Sequence, residues 1–483
     1  MLFSNADELK TLRRWQKEGV QDPSLNRQVE ILIKGYIPNQ LDESTIQDLI
    51  ERQTEIENIF NNFRAEIDGK PWTNNDLKEI LKKEKNSDRR KVVWEATKQI
   101  GKEVSGKIIE LAKRRNKAAV QLGFTNHFEM SLQLQELKSD WLFDLWDELK
   151  AATEEKFKKK IGDLHAKLAT HYGIKKEAIM PWHYDDPFAQ SSPSQVNSLD
   201  LDPYLKNKDI LQICKDFYSS IDLDINDVLA RSDLYERKGK SQHAFCICIN
   251  RGEDVRVLAN MRPNQYWAST MLHELGHAAY SKNIDPKLPH FLRDEAHIFA
   301  TEAIAMLMER MIHHPVWLEK MGILPQSEAQ KFKTDLWESL SLDKLIIARW
   351  IMLVTRFEKA LYEDPEQDLN AVWWRLVKEY QLLEMPAGRD YPDWAAKIHI
   401  ASHPVYYQNY LLGELCAAQI AEMLEKEAMK KSLAETSFYG EAKIGKLLKE
   451  RLFKMGSLWS WAKLVPHVTG QPLCCRSFIK QFC

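Results

Sequence analysis

Apolar residues recur at helical spacing along most of the chain. After Asp42-Glu43-Ser44, a run to Phe63 places Ile46, Leu49, Ile50, Ile56 and Ile59 on a common stripe, the pattern of an amphipathic helix. Residues 1–68 as a whole predict two or three such polar helices. Gly69-Lys70-Pro71 breaks the pattern, Trp72 to Glu84 resumes it, and residues 85–88 form a charged turn. From Arg89 to Gln121 the period is strongly helical, with Val104, Ile108, Leu111 and Ala112 marking one face. Gly123-Phe124-Thr125-Asn126 reads as a helix stop followed by a new N-cap, and helices then run from His127 to about His171.

Three stretches depart from this monotony. Met180 to Gln190 is aromatic and broken by proline, and it leads into Ser/Pro-rich residues 191–198; such a loop either plugs a core or lines a binding site. Helix returns over Leu199 to Asp224. Within residues 241–260, Phe245-Cys-Ile-Cys-Ile249 and Val255-Arg-Val-Leu258 flank Arg251-Gly252-Glu253-Asp254, which predicts a β-hairpin. Helices follow at Gln265–Tyr280, Arg293–Arg310, Asp343–Glu363, 369–384 and 407–430. No internal repeat and no low-complexity tract interrupts them.

Composition narrows the class. Glycine is only 18 of 483 residues, against a usual share of about 7%, and long stretches lack both Gly and Pro. That favours one mainly helical body over several small α/β units. The net charge of -2 gives no electrostatic reason to expect nucleic acid or an anionic membrane as partner. No apolar run approaches the roughly 18 residues of a membrane span. The N-terminus lacks the basic-then-apolar order of a signal peptide, so a cytoplasmic location is expected. The cysteines are seven, an odd number, and a disulfide framework is not indicated. Cys246 and Cys248 share a strand face, but without a second pair they read as small core residues.

The chemistry centres on His273-Glu274-Leu275-Gly276-His277. Residues one helical turn apart point the same way, so both imidazoles can hold a single Zn2+. Glu274 turns aside from that face, where it can take a proton from a water the ion activates. The surrounding residues are apolar (Trp267, Met271, Leu272, Ala278, Ala279, Tyr280). Two histidines and a carboxylate in such a setting need a partner, and a metal supplies one.

A third ligand must come from elsewhere. Glu295 and Glu302 lie seven apart on the predicted following helix, so spacing does not choose between them. Glu302 is flanked by Ala300, Ala303 and Ala305, which predicts burial and favours it. His290 and His297 are weaker rivals. Residues 397–410 form a second cluster, with Lys397, His399, His403, Tyr406, Tyr407 and Tyr410 within 14 positions. Pro404 there predicts a helix starting near Val405, with Tyr406 or Tyr407 sharing a face with Tyr410.

Together these motifs resemble the gluzincin peptidases of the angiotensin-converting-enzyme type and their bacterial dipeptidyl carboxypeptidase relatives. His-Glu-Leu-Gly-His-Ala-Ala-Tyr is similar to the family's H-E-M-G-H-x-x-Y, and Pro289 through Ile304 fits its P-x-x-L-R … H-E-A-I stretch without a gap. The resemblance implies that Glu302 is the third zinc ligand. It implies that His243 and Ala244, with the strand after them, bind substrate backbone by strand addition. Lys397-Ile398-His399-Ile400 is similar to K-F-H-I, implying Lys397 for the substrate's terminal carboxylate and His399 for transition-state support. Tyr407-Gln408-Asn409-Tyr410 resembles Y-x-R-Y with one inserted residue. Tyr410 is then the oxyanion donor and Tyr407 a carboxylate ligand, a role that passes to Tyr406 if the insertion falls between the two tyrosines. Phe188-Ala189-Gln190 resembles a short W-A-Q segment whose Gln also binds the carboxylate.

Two departures matter. The family's Asp four residues after the third ligand is Met306 here, so the contact it makes to a zinc ligand must come from another residue, with Glu295 a candidate. The Arg between the tyrosines is Asn409, which predicts weak or absent chloride activation.

The expectation is therefore a mainly α fold, a large helical ellipsoid with a deep central cleft and a small antiparallel sheet beside the zinc helix. It is one peptidase domain over 1–483 made of two helical lobes. Residues 1–88 form an N-terminal lid region, 89–240 the first lobe and 241–483 the zinc-binding catalytic region. The function expected is hydrolysis of short peptides with a free C-terminus, releasing dipeptides, with one Zn2+ per chain and Glu274 as general base, in a monomer. The alternatives are an oligoendopeptidase or single-residue metallocarboxypeptidase of a related helical family, and an inactive peptide-binding protein on the same fold.

Overall fold

The computed structural model describes residues 3–194 and 199–483; the last four positions of the expected Ser/Pro-rich stretch, 195–198, lie outside them. The fold is mainly α. Among the described residues, strands occur as two antiparallel pairs, β1 (Ala65–Ile67) with β2 (Lys70–Trp72) and β3 (Phe245–Cys248) with β4 (Val255–Leu258). The chain forms two compact units, each assembled from separated segments. Unit 1 is Met1–Arg13, Ile33–Asn197 and Leu342–Gln408; unit 2 is Arg14–Leu32, Ser198–Ser341 and Asn409–Cys483. No helix among the described residues is long and apolar enough to cross a membrane.

In unit 1, α1 (Glu43–Asn62) starts where Asp42 accepts the amide of Thr45 at 2.9 Å, satisfying a donor the first turn leaves free. The expected break at Gly69 is a β1–β2 hairpin, with Ile67 opposite Lys70. Asp68 and Gly69 both take positive φ, 53° and 70°, the backbone of a two-residue type I′ turn. The following helix consequently begins at Asn74 rather than Trp72, behind a Thr73–Asp76 capping box. The long run from Arg89 is two helices that meet at Gln99, Ser87–Lys98 and α2 (Ile100–Gln121). Asn126 caps the next helix as expected, accepting the Glu129 amide at 2.9 Å. α3 (Ser139–Tyr172) then runs unbroken for 34 residues. The unit's core is rich in tryptophan, with Trp94, Trp146, Trp350 and Trp394 fully buried.

The aromatic loop 180–190 plugs this core. Arg90, fully buried, donates to the carbonyls of Trp182 (2.6 Å), Tyr184 (3.0 Å), Glu84 (2.9 Å) and Leu81. Trp94 donates to Pro187 O at 2.9 Å, and Gln381 donates to Phe188 O and Ala189 O at 2.8 and 3.0 Å. A segment whose regular structure is one short 3-10 turn, Pro181–His183, is buried here because side chains satisfy its carbonyls one by one.

In unit 2 the β3–β4 hairpin pairs Phe245 with Leu258 and Cys248 with Val255, close to the expected limits. It packs on α4 (Gln265–Lys282), whose first turn is capped by Asn264 accepting the Trp267 amide at 2.9 Å. α5 spans Ile298–Glu309, five residues shorter at its start than the expected Arg293–Arg310, because His297 caps it and residues 293–297 are irregular. α4 and α5 pack face to face through small residues: Ala278, Ala279, Ala303 and Ala305 are all fully buried. A Cβ added to Gly276 would lie 2.7 Å from the Ala305 Cα; the second variable position of the motif therefore has room only for hydrogen. α6 (Gln408–Leu424) also approaches α5 closely, since a Cβ on Gly413 would lie 3.0 Å from the Glu302 Cβ.

Candidate active site

α4 presents His273 and His277 one turn apart, and α5 presents Glu302 opposite them. The two Nε2 atoms are 3.2 Å apart. One Glu302 carboxylate oxygen lies 3.5 Å from His273 Nε2 and 3.9 Å from His277 Nε2. Four-coordinate zinc with bonds of about 2.0–2.1 Å separates its donors by about 3.3 Å, so the three atoms already stand at ligand spacing. They are the one such group of His, Cys and acidic ligand atoms among the described residues. Outside the histidines, that Glu302 oxygen is buried without a hydrogen-bond partner, as a lone pair waiting for a cation would be. Two imidazoles and one carboxylate fit the protein donor set of a catalytic zinc centre.

The outer ring nitrogens are already engaged. His273 Nδ1 is 3.0 Å from a Glu309 carboxylate oxygen, and His277 Nδ1 is 2.7 Å from Thr301 Oγ1. Ser269 donates to the other Glu309 oxygen at 2.9 Å. These contacts orient both rings with Nε2 facing the partner ligands, the arrangement that metal-binding histidines require. Glu309 is seven residues after Glu302, two turns along the same helix. The expected helix to Arg310 already carried Glu309 on this face, but no short motif singles it out. Glu295, the residue proposed for this contact, is not on α5. It sits in the loop before it and accepts a hydrogen bond from Ser281.

Electrostatics follow from the packing. Burial opposes a charged His273, but the hydrogen bond and charge of Glu309, with Glu302 and Glu274, lift it to about 9. Burial and the neighbouring His273 lower His277 to about 3. Burial raises Glu302 to about 7 and raises Glu274 as well. The group is thus a poor host for several separate charges and a good one for a single dication. Glu274, on the next face of α4, accepts a hydrogen bond from the Cys246 amide on β3. His243 and Ala244 precede that strand, with His243 exposed. On β3, Phe245 and Ile247 are exposed while Cys246 and Cys248 are half-buried. Tyr410 lies in the first turn of α6, one turn before Gly413.

Unit 1 gathers a second group. Lys397 Nζ is 3.1 Å from Gln190 Oε1, and Gln190 donates to Asp186 at 2.8 Å. Asp186 also accepts the Phe188 amide at 2.8 Å. It thereby shapes the turn that presents Gln190, with Ala189 at φ 50°. Asp186 was missed by the sequence reading, although Asp at the head of a tight turn is a familiar arrangement. The Lys397 ammonium stands 5.6 Å from the centre of the Tyr407 ring, 5.4 Å from Trp350 and 5.5 Å from Phe188. Burial lowers Lys397 to about 8 against the attraction of Asp186. The His399 ring is 5.3 Å from that of Tyr407. The expected helix at Val405 begins instead at Gln408, so neither Tyr406 nor Tyr407 shares a helix face with Tyr410; both precede the helix.

Two histidines from one helix and a glutamate from the next, in a mainly helical chain, define the metallopeptidase pattern of H-E-x-x-H plus Glu. Residues 4–482 match the peptidase M2 family, described as angiotensin-converting enzyme. The chain belongs to that family. It is also similar to "Carboxypeptidase 1" of Bacillus subtilis (strain 168), at 25% identity over 266 residues, 50% of this chain and 52% of that protein. The chain thus spans about half the length of the curated relative it matches.

Proposed function

We propose that this chain is a zinc-dependent peptidase that releases dipeptides from the free C-termini of short peptides. The observation that carries the reading is the His273–His277–Glu302 triangle with its 3.2, 3.5 and 3.9 Å edges, beside a buried acid, Glu274. His273, His277 and Glu302 would hold one Zn2+, which when bound supplies Lewis acidity toward water and a peptide carbonyl.

The remaining roles fall to this chain's own side chains. Glu274 takes a proton from the attacking water and returns it to the departing amine; its raised pKa suits a group that must both accept and release. The Cys246 amide holds that carboxylate in place until substrate arrives. The Tyr410 hydroxyl and His399 donate to the oxygen that gains charge. Ala244 and the strand after it pair with the substrate backbone, and His243 supports its C-terminal part. Lys397, Gln190 and Tyr407 receive the terminal carboxylate. An ammonium, an amide and a phenol are together suited to one anion, and this requirement makes the enzyme an exopeptidase.

Turnover of an N-terminally blocked short peptide with a free C-terminus by wild type and by Glu274→Gln, with zinc measured on both, tests the first half. Metal should be retained and kcat lost; a fully active Glu274→Gln rules out the assignment. Amidating the substrate's C-terminus tests the second half and should abolish cleavage. The relative named a carboxypeptidase favours one competing reading, removal of single residues. Product length on a peptide of four or more residues separates the two.

A further inference from the structure

We propose that Glu358 is a positioning residue that fixes the carboxylate-binding group of unit 1, by holding Val405 in a left-handed turn two residues before Tyr407. The proposal rests on Lys397, Gln190 and Tyr407 as the carboxylate site. Val405 has φ 55°. A β-branched residue rarely adopts that backbone, because its Cβ crowds the neighbouring carbonyl. The conformation persists only where the surroundings impose it.

Here they do so from both sides of the residue. The Val405 amide donates to Glu358 Oε1 at 2.8 Å. The Val405 carbonyl accepts from Gln408 Nε2 at 2.6 Å and from Gln135 Nε2 at 3.1 Å, and the two glutamine side chains meet each other at 3.2 Å. Just upstream, Arg115 donates to the Ala401 carbonyl at 2.7 Å while bound to Gln53 and Tyr362. Glu358 is 1% exposed, and its second oxygen is buried with no hydrogen-bond partner. Burying a carboxyl to hold one backbone amide is costly. What that cost secures is the direction in which the chain leaves Val405, and so the placement of Tyr407. That ring stands edge-on to Trp350 at 6.0 Å and lies 5.3 Å from His399. With φ reversed at Val405, the ring would leave the Lys397–Gln190 pair.

The test compares wild type with Glu358→Gln, Glu358→Leu and Glu358→Asp. All are assayed on a free-acid peptide and its amide, with zinc content and amide hydrogen exchange over residues 402–407. Glu358→Gln keeps an acceptor at the same reach, and KM should stay near wild type. Glu358→Leu removes it and Glu358→Asp draws it back by one methylene. Each should raise KM for the free acid about tenfold, the value of one lost hydrogen bond to a charged or buried group. Zinc content should be unchanged and kcat within about twofold, with Val405 exchange faster. If Glu358→Leu does not fold, Glu358→Asp carries the comparison. Unchanged KM and exchange in a folded Leu or Asp variant overturns the proposal, and so does a Gln variant as impaired as Leu. Should wild type cleave acid and amide equally, the carboxylate reading fails. Exchange at Val405 then still decides whether Glu358 holds the turn.

Discussion

His273 Nδ1 and a Glu309 carboxylate oxygen lie 3.0 Å apart, and this contact fixes which nitrogen of the ring can bind metal. With Nδ1 committed to an acceptor, Nε2 is left as the ligand atom, pointed at His277 Nε2. The same carboxylate is steadied by Ser269 at 2.9 Å. Removing it should leave the ring free to turn and lower its basicity. Glu309→Ala is expected to weaken zinc binding by about 10- to 100-fold, the usual effect of losing such a partner, with Glu309→Gln less affected. Competition against a chromophoric chelator measures this. An Ala variant that binds zinc as tightly as wild type would show that the rings are held by packing alone.

Helix α4 was legible almost to its ends because period, cap and motif agree: Asn264 caps where the apolar period begins, and α4 ends two residues beyond the expected Tyr280. The burial of Glu302 was legible too, since alanines on either side predict a buried position. What lay hidden depended on local backbone. Asp68-Gly69 is a strong hairpin signal, yet the strands it joins are three residues each, too short to show alternation. Glu295 was misplaced because nothing in Asp294-Glu295-Ala296 announces that the helix waits for His297. Tyr407 was placed on a helix because Pro404 is a common first residue of one; the left-handed Val405 that delays the start has no sequence signature, being a valine. Glu309 and Asp186 act through other side chains, so they belong to no short motif. That each compact unit is built from three separated segments was also beyond a linear reading.

Gly276 lets α4 and α5 approach closely enough for Glu302 to reach both imidazoles. The atoms a methyl would strike are backbone, with Ala305 Cα at 2.7 Å, Ala305 N at 3.1 Å and Ile304 O at 3.2 Å, and backbone cannot rotate away. Alanine would gain about 1 kcal/mol of helix propensity. Overpacking in a tight core costs about 1–3 kcal/mol, and the upper half of that range applies where both neighbours are helix backbone. Gly276→Ala should therefore lose about 1–2 kcal/mol net and weaken zinc binding at the same time. Denaturant unfolding of the metal-free protein measures the first and chelator competition the second. A variant unchanged in both would mean the helices have slack that the 2.7 Å approach does not suggest.

In the resemblance of Tyr407–Tyr410 to Y-x-R-Y, Asn409 falls at the arginine position, and it is fully buried. A neutral amide at that position has no charge with which to hold an anion. Rates measured in chloride and in a non-coordinating salt of equal ionic strength should differ by less than about twofold, given that screening alone is matched. Strong activation specific to chloride would contradict this, and Asn409→Arg is the variant that should create it.

Lys397 supplies the last prediction, in which the direction of the pH effect discriminates. Burial lowers its pKa to about 8, below the roughly 10.4 of the unfolded chain. The folded protein thus prefers the neutral amine. The penalty for carrying the charge is present in full below about pH 8 and is relieved as pH rises toward about 10.4. On this group's account alone, stability improves across that window. Substrate binding runs the other way, because only the ammonium can pair with a terminal carboxylate. kcat/KM for a free-acid peptide reports the free enzyme's pKa, so it should fall about tenfold per pH unit above pH 8 while the fold is not weakened by this lysine. Lys397→Met should lower kcat/KM at pH 7 by raising KM, and should flatten the alkaline limb. If the limb persists unchanged in Lys397→Met, another group titrates there and the ammonium is not the carboxylate's partner.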